Sequence, residues 1–132
     1  MPSRELDWLA QAERDLESAR HLEEGDFHEW SCFAAQQAAE KALKAIYQFR
    51  DSQGVGNVCV KLIEGLELGT SSDVKRLLAC AERLDRFAAA SLYPDHWTEG
   101  APKDMVTADA AAAAISDSET IVRICHDLLL RR

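Results

Sequence analysis

Residues 27–49 read FHEWSCFAAQQAAEKALKAIYQF, and the pattern of this stretch decides the fold. At 100° per residue its apolar side chains form two adjacent rows that cover about half of the helix circumference, wider than the ~100° stripe of a simple surface helix. We therefore predict a central helix that packs on more than one side, and its many alanines let neighbouring helices approach closely. Trp30, Phe33 and Tyr47 interrupt the polar half, as expected of a helix that serves both a core and an interface. The two rows are Phe27, Ala34, Ala38, Ala42, Ala45 and Phe49, and Cys32, Ala35, Ala39, Leu43 and Ile46.

The segments around this helix have the apolar periodicity of further helices and no convincing alternation of a strand. Asp26 is a natural N-cap for the central helix, with Glu29 three residues later completing a capping-box pattern, and Thr107 is the N-cap of the last helix. The fold class is therefore all-α, an up-and-down bundle of four main helices plus a short helix. The predicted helices span residues 4–24, 27–49, 58–67, 72–91 and 108–131.

Length and composition narrow the class of protein. The chain has 132 residues, 47% of them hydrophobic, which predicts a single domain over residues 1–132. A formal net charge of -8 opposes non-specific binding to DNA. The charged N-terminus and the lack of an apolar run of ~20 residues predict a cytoplasmic protein without a membrane segment. No cluster of Cys and His indicates a metal or another cofactor, and we expect Cys32, Cys59, Cys80 and Cys125 to be small buried side chains.

The segment SLYPDHW at residues 91–97 is the most chemically varied stretch of the chain. Its two rings, one acceptor and one switchable donor would suit a nucleotide base, and cations on the second and fourth helices could face a phosphate if those helices are adjacent. In the alternative, structural interpretation, Tyr93 and Trp97 cap the end of the core, Asp95 caps the turn and the lysines form a solvated face. The candidate ligand-binding residues are Tyr93, Asp95, His96, Trp97, Lys41 and Lys44, with Arg83 and Arg86 nearby on the fourth helix.

Several segments together resemble the HEPN domain, in its stand-alone prokaryotic form. They are AERDLESAR at 12–20, CFAAQQAAEKALKAIY at 32–47, LDRF at 84–87, YPD at 93–95 and GAP at 100–102. The most specific match lies in residues 36–44 and the second in the YPD turn. The resemblance implies a helical bundle that forms a homodimer. Many members pair with a minimal nucleotidyltransferase as toxin–antitoxin modules, and others were proposed to bind nucleotides or partners.

The resemblance also implies an alternative function, because some members are metal-independent ribonucleases that use an Arg, four to six intervening residues and a His. This chain has Leu92 where members carry an Arg, and Gly56-Asn57-Val58 where they tend to have a His. Arg86 and His96 are the nearest pair around the loop, with nine residues between them. The sequence thus favours a non-catalytic dimeric binding protein, with a nucleotidyltransferase, a nucleotide or RNA as its partner. An endoribonuclease toxin that uses Arg86 and His96 is the alternative.

Overall fold

The computed structural model describes residues 3–130, and within that range the chain is helical with no strand. This confirms the all-α prediction. The predicted end of the last helix, residue 131, lies outside the described residues. The elements in chain order are α1 (Glu5–Glu24), α2 (His28–Phe49), α3 (Cys59–Leu66), α4 (Ser72–Asp85), α5 (Phe87–Ala90), a 3₁₀ helix (Pro94–His96), α6 (Pro102–Met105) and α7 (Ala108–Leu130).

Helix α2 lies at the centre of the bundle and contacts every other α-helix of the described chain, most extensively α1 and α7. Its small side chains make this possible, because Ala35, Ala38, Ala39, Ala42 and Ala45 are all completely buried. An alanine row lets two helix backbones come close and pack without voids. The prediction of a central helix is therefore confirmed.

Two buried hydroxyl groups make hydrogen bonds that connect α2 to its main neighbours. Ser31 Oγ donates to the carbonyl of Ala19 on α1 at 2.8 Å, and Ser118 Oγ on α7 donates to the carbonyl of Ala35 on α2 at 2.6 Å. A buried hydroxyl that lacks a partner costs free energy, so each bond satisfies its own donor and fixes the position of one helix along the other.

The turn between α1 and α2 corrects the prediction for Asp26. Asp26 is not an N-cap, because it takes a left-handed conformation (φ 66°) and ends α1 instead. The backbone N–H of Phe27 donates to Leu22 O at 2.9 Å and that of Asp26 to Glu23 O at 3.1 Å, which is the Schellman pattern. The turn between α1 and α2 is short, and Asp26 is its left-handed residue. In this position the Asp26 side chain does not cap α2. The Thr107 prediction is confirmed, since its Oγ1 accepts from Ala110 N at 3.0 Å.

The connection from α4 to α7 differs from the single helix and loop that the sequence predicts. The predicted helix 72–91 is divided at Arg86 into α4 and α5, although Arg86 itself keeps helical dihedral angles (φ -63°, ψ -26°). Residues 92–107, predicted as a loop, contain two short helical turns, and each of these turns has a proline near its start. A proline fits there because its missing N–H has no helical partner in any case. Both α5 and α6 pack on α2.

None of the helices within residues 3–130 is both long enough and apolar enough to cross a membrane.

Candidate functional site

The loop at residues 91–97 divides into an exposed part and an anchored part. Tyr93 is 57% exposed, and Asp95 and His96 are exposed as well. Trp97 is half-buried against the core, and its indole Nε1 donates to Ala90 O at 2.9 Å. Trp97 therefore holds the loop onto the end of α5, which is the structural role considered for it. The other three side chains remain accessible to a ligand or a protein partner.

The alternative catalytic pair, Arg86 and His96, is not organised in the way that acid–base catalysis requires. Arg86 is exposed at the junction between α4 and α5, and His96 is exposed at the end of the 3₁₀ helix. Within residues 3–130, neither side chain takes part in a hydrogen bond or an ion pair. A catalytic base is normally oriented by a third group, so these two residues could act only if a ligand or a second chain positions them.

The four cations that the sequence assigns to a phosphate do not converge on one site. On α2, Lys41 Nζ contacts Asp15 Oδ2 of α1 at 2.5 Å, and Lys44 Nζ contacts Glu40 Oε2 at 3.4 Å. Arg83 on α4 instead makes a bidentate pair with Asp117 on α7, at 2.9 and 2.8 Å. This pair raises the pKa of Arg83 further above its usual value.

Arg83 thus joins α4 to α7, whereas Lys41 and Lys44 line the groove between α1 and α2 next to Trp8. No hydrogen bond or ion pair within residues 3–130 joins these lysines to the 91–97 loop. In the sequence Trp8 lies in an apolar stripe of the first helix together with Leu9 and Ala12, and no local signal distinguishes it from a core residue.

A cluster of buried polar groups lies where α3 begins, and most of it is invisible to sequence patterns. Gln36 is fully buried and its Nε2 donates to the carbonyl of Asn57 at 2.7 Å. Its Oε1 accepts a hydrogen bond from Gln37 at 2.9 Å. The carboxylate of Asp85, from the end of α4, accepts from the backbone N–H groups of Cys59 (2.9 Å) and Val60 (3.0 Å).

Asp85 is thus the N-terminal cap of a helix that begins 26 residues earlier in the chain. The glutamine pair of residues 36–37 belongs to the most specific part of the resemblance. In the structure this pair secures the loop in front of α3. Gln36, Gln37 and Asp85 therefore have a structural role at the start of α3.

The four cysteines are buried thiols, as the sequence predicts. Burial, with a smaller contribution from the charges of Glu23 and Glu29, raises the pKa of Cys32 to about 12. Burial also raises the pKa of Cys59, Cys80 and Cys125. A thiol is a nucleophile and a metal ligand mainly as the thiolate, so none of the four has the electrostatic environment of a reactive cysteine. Within residues 3–130, no group of three or more Cys, His, Asp and Glu side chains is arranged to hold a metal ion.

An aromatic patch covers the N-terminal part of α2, and we define it as Phe27, Trp30, Phe33 and Met105. Trp30 and Phe33 pack edge to face with their ring centroids 6.0 Å apart. Phe27 is 55% exposed, Trp30 48% and Met105, on the adjoining α6, 37%. Helix α6 packs on α2, and Lys103 lies within range of the charge of Glu29. Several large apolar side chains exposed together are unusual on a monomer and typical of a contact surface.

Comparison with known proteins identifies the fold family. The model of the HEPN domain matches residues 6–128. A crystal structure from Thermus thermophilus is 30% identical with a TM-score of 0.88, covering 96% of this chain and 98% of that one. An archaeal HEPN homologue is 35% identical (TM-score 0.79; 97% and 98% covered), and an HEPN domain protein of Thermotoga maritima is 31% identical (0.75; 96% and 99%). A search of the curated proteins finds no match. The match to the family model over nearly the whole length, together with these structures, shows that the chain belongs to the HEPN domain family.

Proposed function

We propose that this HEPN protein is a homodimeric binding module, and that it works as the partner of a minimal nucleotidyltransferase or in response to a nucleotide. The observation that carries the proposal is the aromatic patch on α2. The helix that forms the centre of the core also presents Trp30 to solvent, and Phe27 is exposed just before it. A two-fold symmetric interface brings the same patch of each protomer against its partner, and an exposed apolar patch on one helix face fits that requirement.

The energetics favour burial of this patch by a second copy. A tryptophan or phenylalanine side chain buries about 150–250 Å² when it is fully covered. At roughly 25 cal/mol per Å² of apolar surface, two half-exposed rings on each protomer supply several kcal/mol towards association. Aromatic residues also dominate the energetic centre of interfaces, so Trp30 is the residue on which the dimer should depend most.

The test is the mass of the protein in solution. Wild-type protein should sediment as a dimer at micromolar concentration, and Trp30→Glu should sediment as a monomer with an unchanged helical circular dichroism spectrum. Val55→Glu is a matched control, because Val55 is 83% exposed in the loop between α2 and α3. This control should remain a dimer. A monomeric wild type, or a Trp30→Glu variant that stays dimeric, would refute the proposed interface.

The ligand and the partner protein form the second half of the proposal. Tyr93, Asp95 and His96 are exposed around one turn, and they offer a ring, an acceptor and a donor to a nucleotide base or to a partner surface. Tagged protein recovered from its native host should carry a stoichiometric nucleotidyltransferase, identified by mass spectrometry. Recovery of the homodimer alone would remove the paired-module part of the proposal.

The alternative function is a metal-independent endoribonuclease, and one observation favours it. Arg86 and His96 are exposed and have no ion pair within the described chain, so both could reach an RNA phosphate. The assay is RNA cleavage in the presence of EDTA by wild type, Arg86→Ala, His96→Ala and a His21→Ala control. Under the binding proposal no variant differs from wild type. Cleavage that is lost in His96→Ala and kept in His21→Ala would establish the enzyme instead.

A further inference from the structure

A surface cavity of about 300 Å³ lies where the loop after α3 and the start of α4 meet the last turns of α7. Its apolar lining comes from all three segments and consists of Leu68, Val74, Leu77, Ile124 and Leu128. Leu77 is fully buried and Ile124 is 9% exposed, whereas Leu128 is 46% exposed. The cavity therefore has a closed apolar floor and one apolar wall that water still reaches. We call it the α4–α7 cavity.

The polar lining of the α4–α7 cavity is acidic. It consists of Ser71, Asp73 and Asp127, and within residues 3–130 no lysine, arginine or histidine lines the cavity. Ser71 Oγ is already the cap of α4, since it accepts from Val74 N at 3.3 Å. The side chains of Asp73 and Asp127 are 65% and 43% exposed, so they lie nearer to solvent than the apolar floor does. The mouth of the cavity therefore carries two negative charges.

Both carboxylates can accept hydrogen bonds from a ligand in addition to the contacts that they already make. Asp73 lies 3.5 Å from Arg76, and both side chains of this pair are more than half exposed, which makes the pair weak. Asp127 Oδ1 lies 3.8 Å from His126 Nδ1, too far for a hydrogen bond between these two atoms. A carboxylate has about four lone-pair sites, and one neighbour does not fill them.

The end of α7 also favours a positive charge at this place. Asp127 lies in the last turn of the described part of α7, and that turn contains no basic residue. The negative end of a helix dipole stabilises a cation, which many helices supply themselves as a lysine or an arginine. The described part of α7 leaves this position to a ligand.

The loop that forms one wall of the cavity is fixed by its backbone. Glu67 and Gly69, on either side of Leu68, both have left-handed conformations (φ 50° and 92°), and they turn the chain between α3 and α4. The end of α3 is held by Arg50 Nη1, which donates to Leu66 O at 2.5 Å. A wall that is already in place lowers the entropic cost of binding.

We propose that the α4–α7 cavity binds a small organic cation, a compact apolar body that carries one ammonium group. The apolar body lies on Leu77 and Ile124 and covers Leu128, and the ammonium group donates to the carboxylates at the mouth. The net charge of -8 attracts cations to the protein as a whole.

The size of the cavity favours a small molecule over a protein partner. A volume of about 300 Å³ is at the lower end of the range for small-molecule sites. A stable protein interface covers about 800 Å² of each partner. Among the large apolar side chains that line the cavity, Leu128 is the only one that is more than a third exposed, and one side chain does not make an interface of that size.

The α4–α7 cavity is separate from the surfaces used in the proposed function, because none of its lining residues belongs to the aromatic patch or to the 91–97 loop. A dimer that fails to form leaves this inference untouched. Equally, a nucleotidyltransferase partner that is recovered with the protein does not support it.

The experiment follows the δ1 methyl signals of the five isoleucines in ¹³C–¹H spectra, assigned by Ile→Val substitution. Ile124 is the isoleucine that lines the cavity. The cationic probes are 2-phenylethylamine and hexylamine, with an aromatic and an aliphatic body. The comparison compounds are the neutral 2-phenylethanol, the anion 3-phenylpropionate, and putrescine, a cation without a compact apolar body.

At about 1 mM, at least one of the two amines should shift the Ile124 signal more than any other isoleucine signal. The alcohol, the anion and putrescine should each bind at least about tenfold more weakly, because each lacks one of the two required parts. An alcohol that binds as tightly as the amine would reduce the cavity to an apolar cleft, and putrescine that binds as tightly would reduce it to an acidic surface. Either result overturns the inference, as does the absence of a shift at Ile124 with both amines.

Two variants with matched controls complete the test. Asp127→Asn should weaken binding about tenfold because it removes a charged acceptor, and Leu128→Ala should weaken it about three- to tenfold because it removes the exposed apolar wall. Glu82→Gln removes an exposed carboxylate of α4 outside the cavity, and Leu130→Ala truncates an exposed leucine of α7 outside the cavity. Both controls should bind like wild type. The inference is also overturned if Asp127→Asn and Leu128→Ala bind as tightly as their controls.

Discussion

Replacement of Asp85 by alanine should destabilise the protein far more than replacement of an exposed carboxylate such as Asp73. Asp85 is the last residue of α4, and the negative C-terminal end of that helix dipole does not stabilise a carboxylate. Its carboxylate accepts from the first two backbone N–H groups of α3, at 2.9 and 3.0 Å. Cys59, which carries the first of them, is fully buried, so water cannot readily replace the lost acceptor.

The expected loss follows from the geometry. Removal of an ordinary N-cap side chain costs roughly 0.5–2 kcal/mol, and a hydrogen bond to a charged group contributes about 1.5–3 kcal/mol. The two bonds share one carboxylate and are not additive, so we expect the free energy of unfolding to fall by about 2–3 kcal/mol. For a chain of this length that corresponds to a decrease in Tm of roughly 6–15 °C.

The assay is urea unfolding followed by circular dichroism, with hydrogen exchange of the Cys59 and Val60 amides as a local measurement. Asp85→Asn keeps an acceptor oxygen and should lose less than Asp85→Ala. Asp73→Ala is the matched control, since Asp73 is an exposed carboxylate that pairs with Arg76 at 3.5 Å, and its loss should be below about 0.5 kcal/mol. If Asp85→Ala is no more destabilising than Asp73→Ala, Asp85 is not the cap of α3.

Three further predictions concern the backbone, a close contact and a buried thiol. Glu67 has φ 50°, so Glu67→Gly should raise the free energy of unfolding by about 1 kcal/mol; an unchanged midpoint in urea would contradict this. Gly65→Ala places a Cβ against the hydroxyl of Tyr47, so it should be at least ~1 kcal/mol less favourable in wild type than in a Tyr47→Phe background, as measured by a double-mutant cycle. Burial first, and the charge of Glu23 second, raise the pKa of Cys32 from 9.0 to about 12. The stabilisation from this thiol is therefore complete below pH 9 and is lost as the pH rises towards 12, a loss that should be smaller in Cys32→Ala.

The sequence predicted the helices well because the interactions that form them are local. The two apolar rows of α2 follow from side chains three and four residues apart, and the Thr107 cap acts on an N–H three residues away. The predicted bounds of α1, α2 and α3 differ from the observed ones by one residue at most. Two local predictions were wrong. Asp26 is not an N-cap, because it takes part in the Schellman motif that ends α1. The predicted helix 72–91 and the loop after it are instead divided into α4, α5 and two short helical turns.

The candidate site depended on contacts that no local pattern contains. The sequence grouped Lys41 and Lys44 with the 91–97 loop, but the helix packing places them beside Trp8, and it pairs Arg83 with Asp117 of α7. Each of these neighbours is fixed only when separate helices come together.

The amino-acid sequence by itself determined the helical bundle and the family, since apolar periodicity and the residues at 36–44 are properties of single helices. The tertiary structure alone decided which polar groups meet. Asp85 caps a helix that begins 26 residues earlier, and Lys41 pairs with a carboxylate 26 residues away. The physical reason is that helix formation depends on neighbours along the chain. A binding surface depends instead on how helices pack, and that packing is set by the buried alanines of α2 and the hydroxyl groups that fasten it.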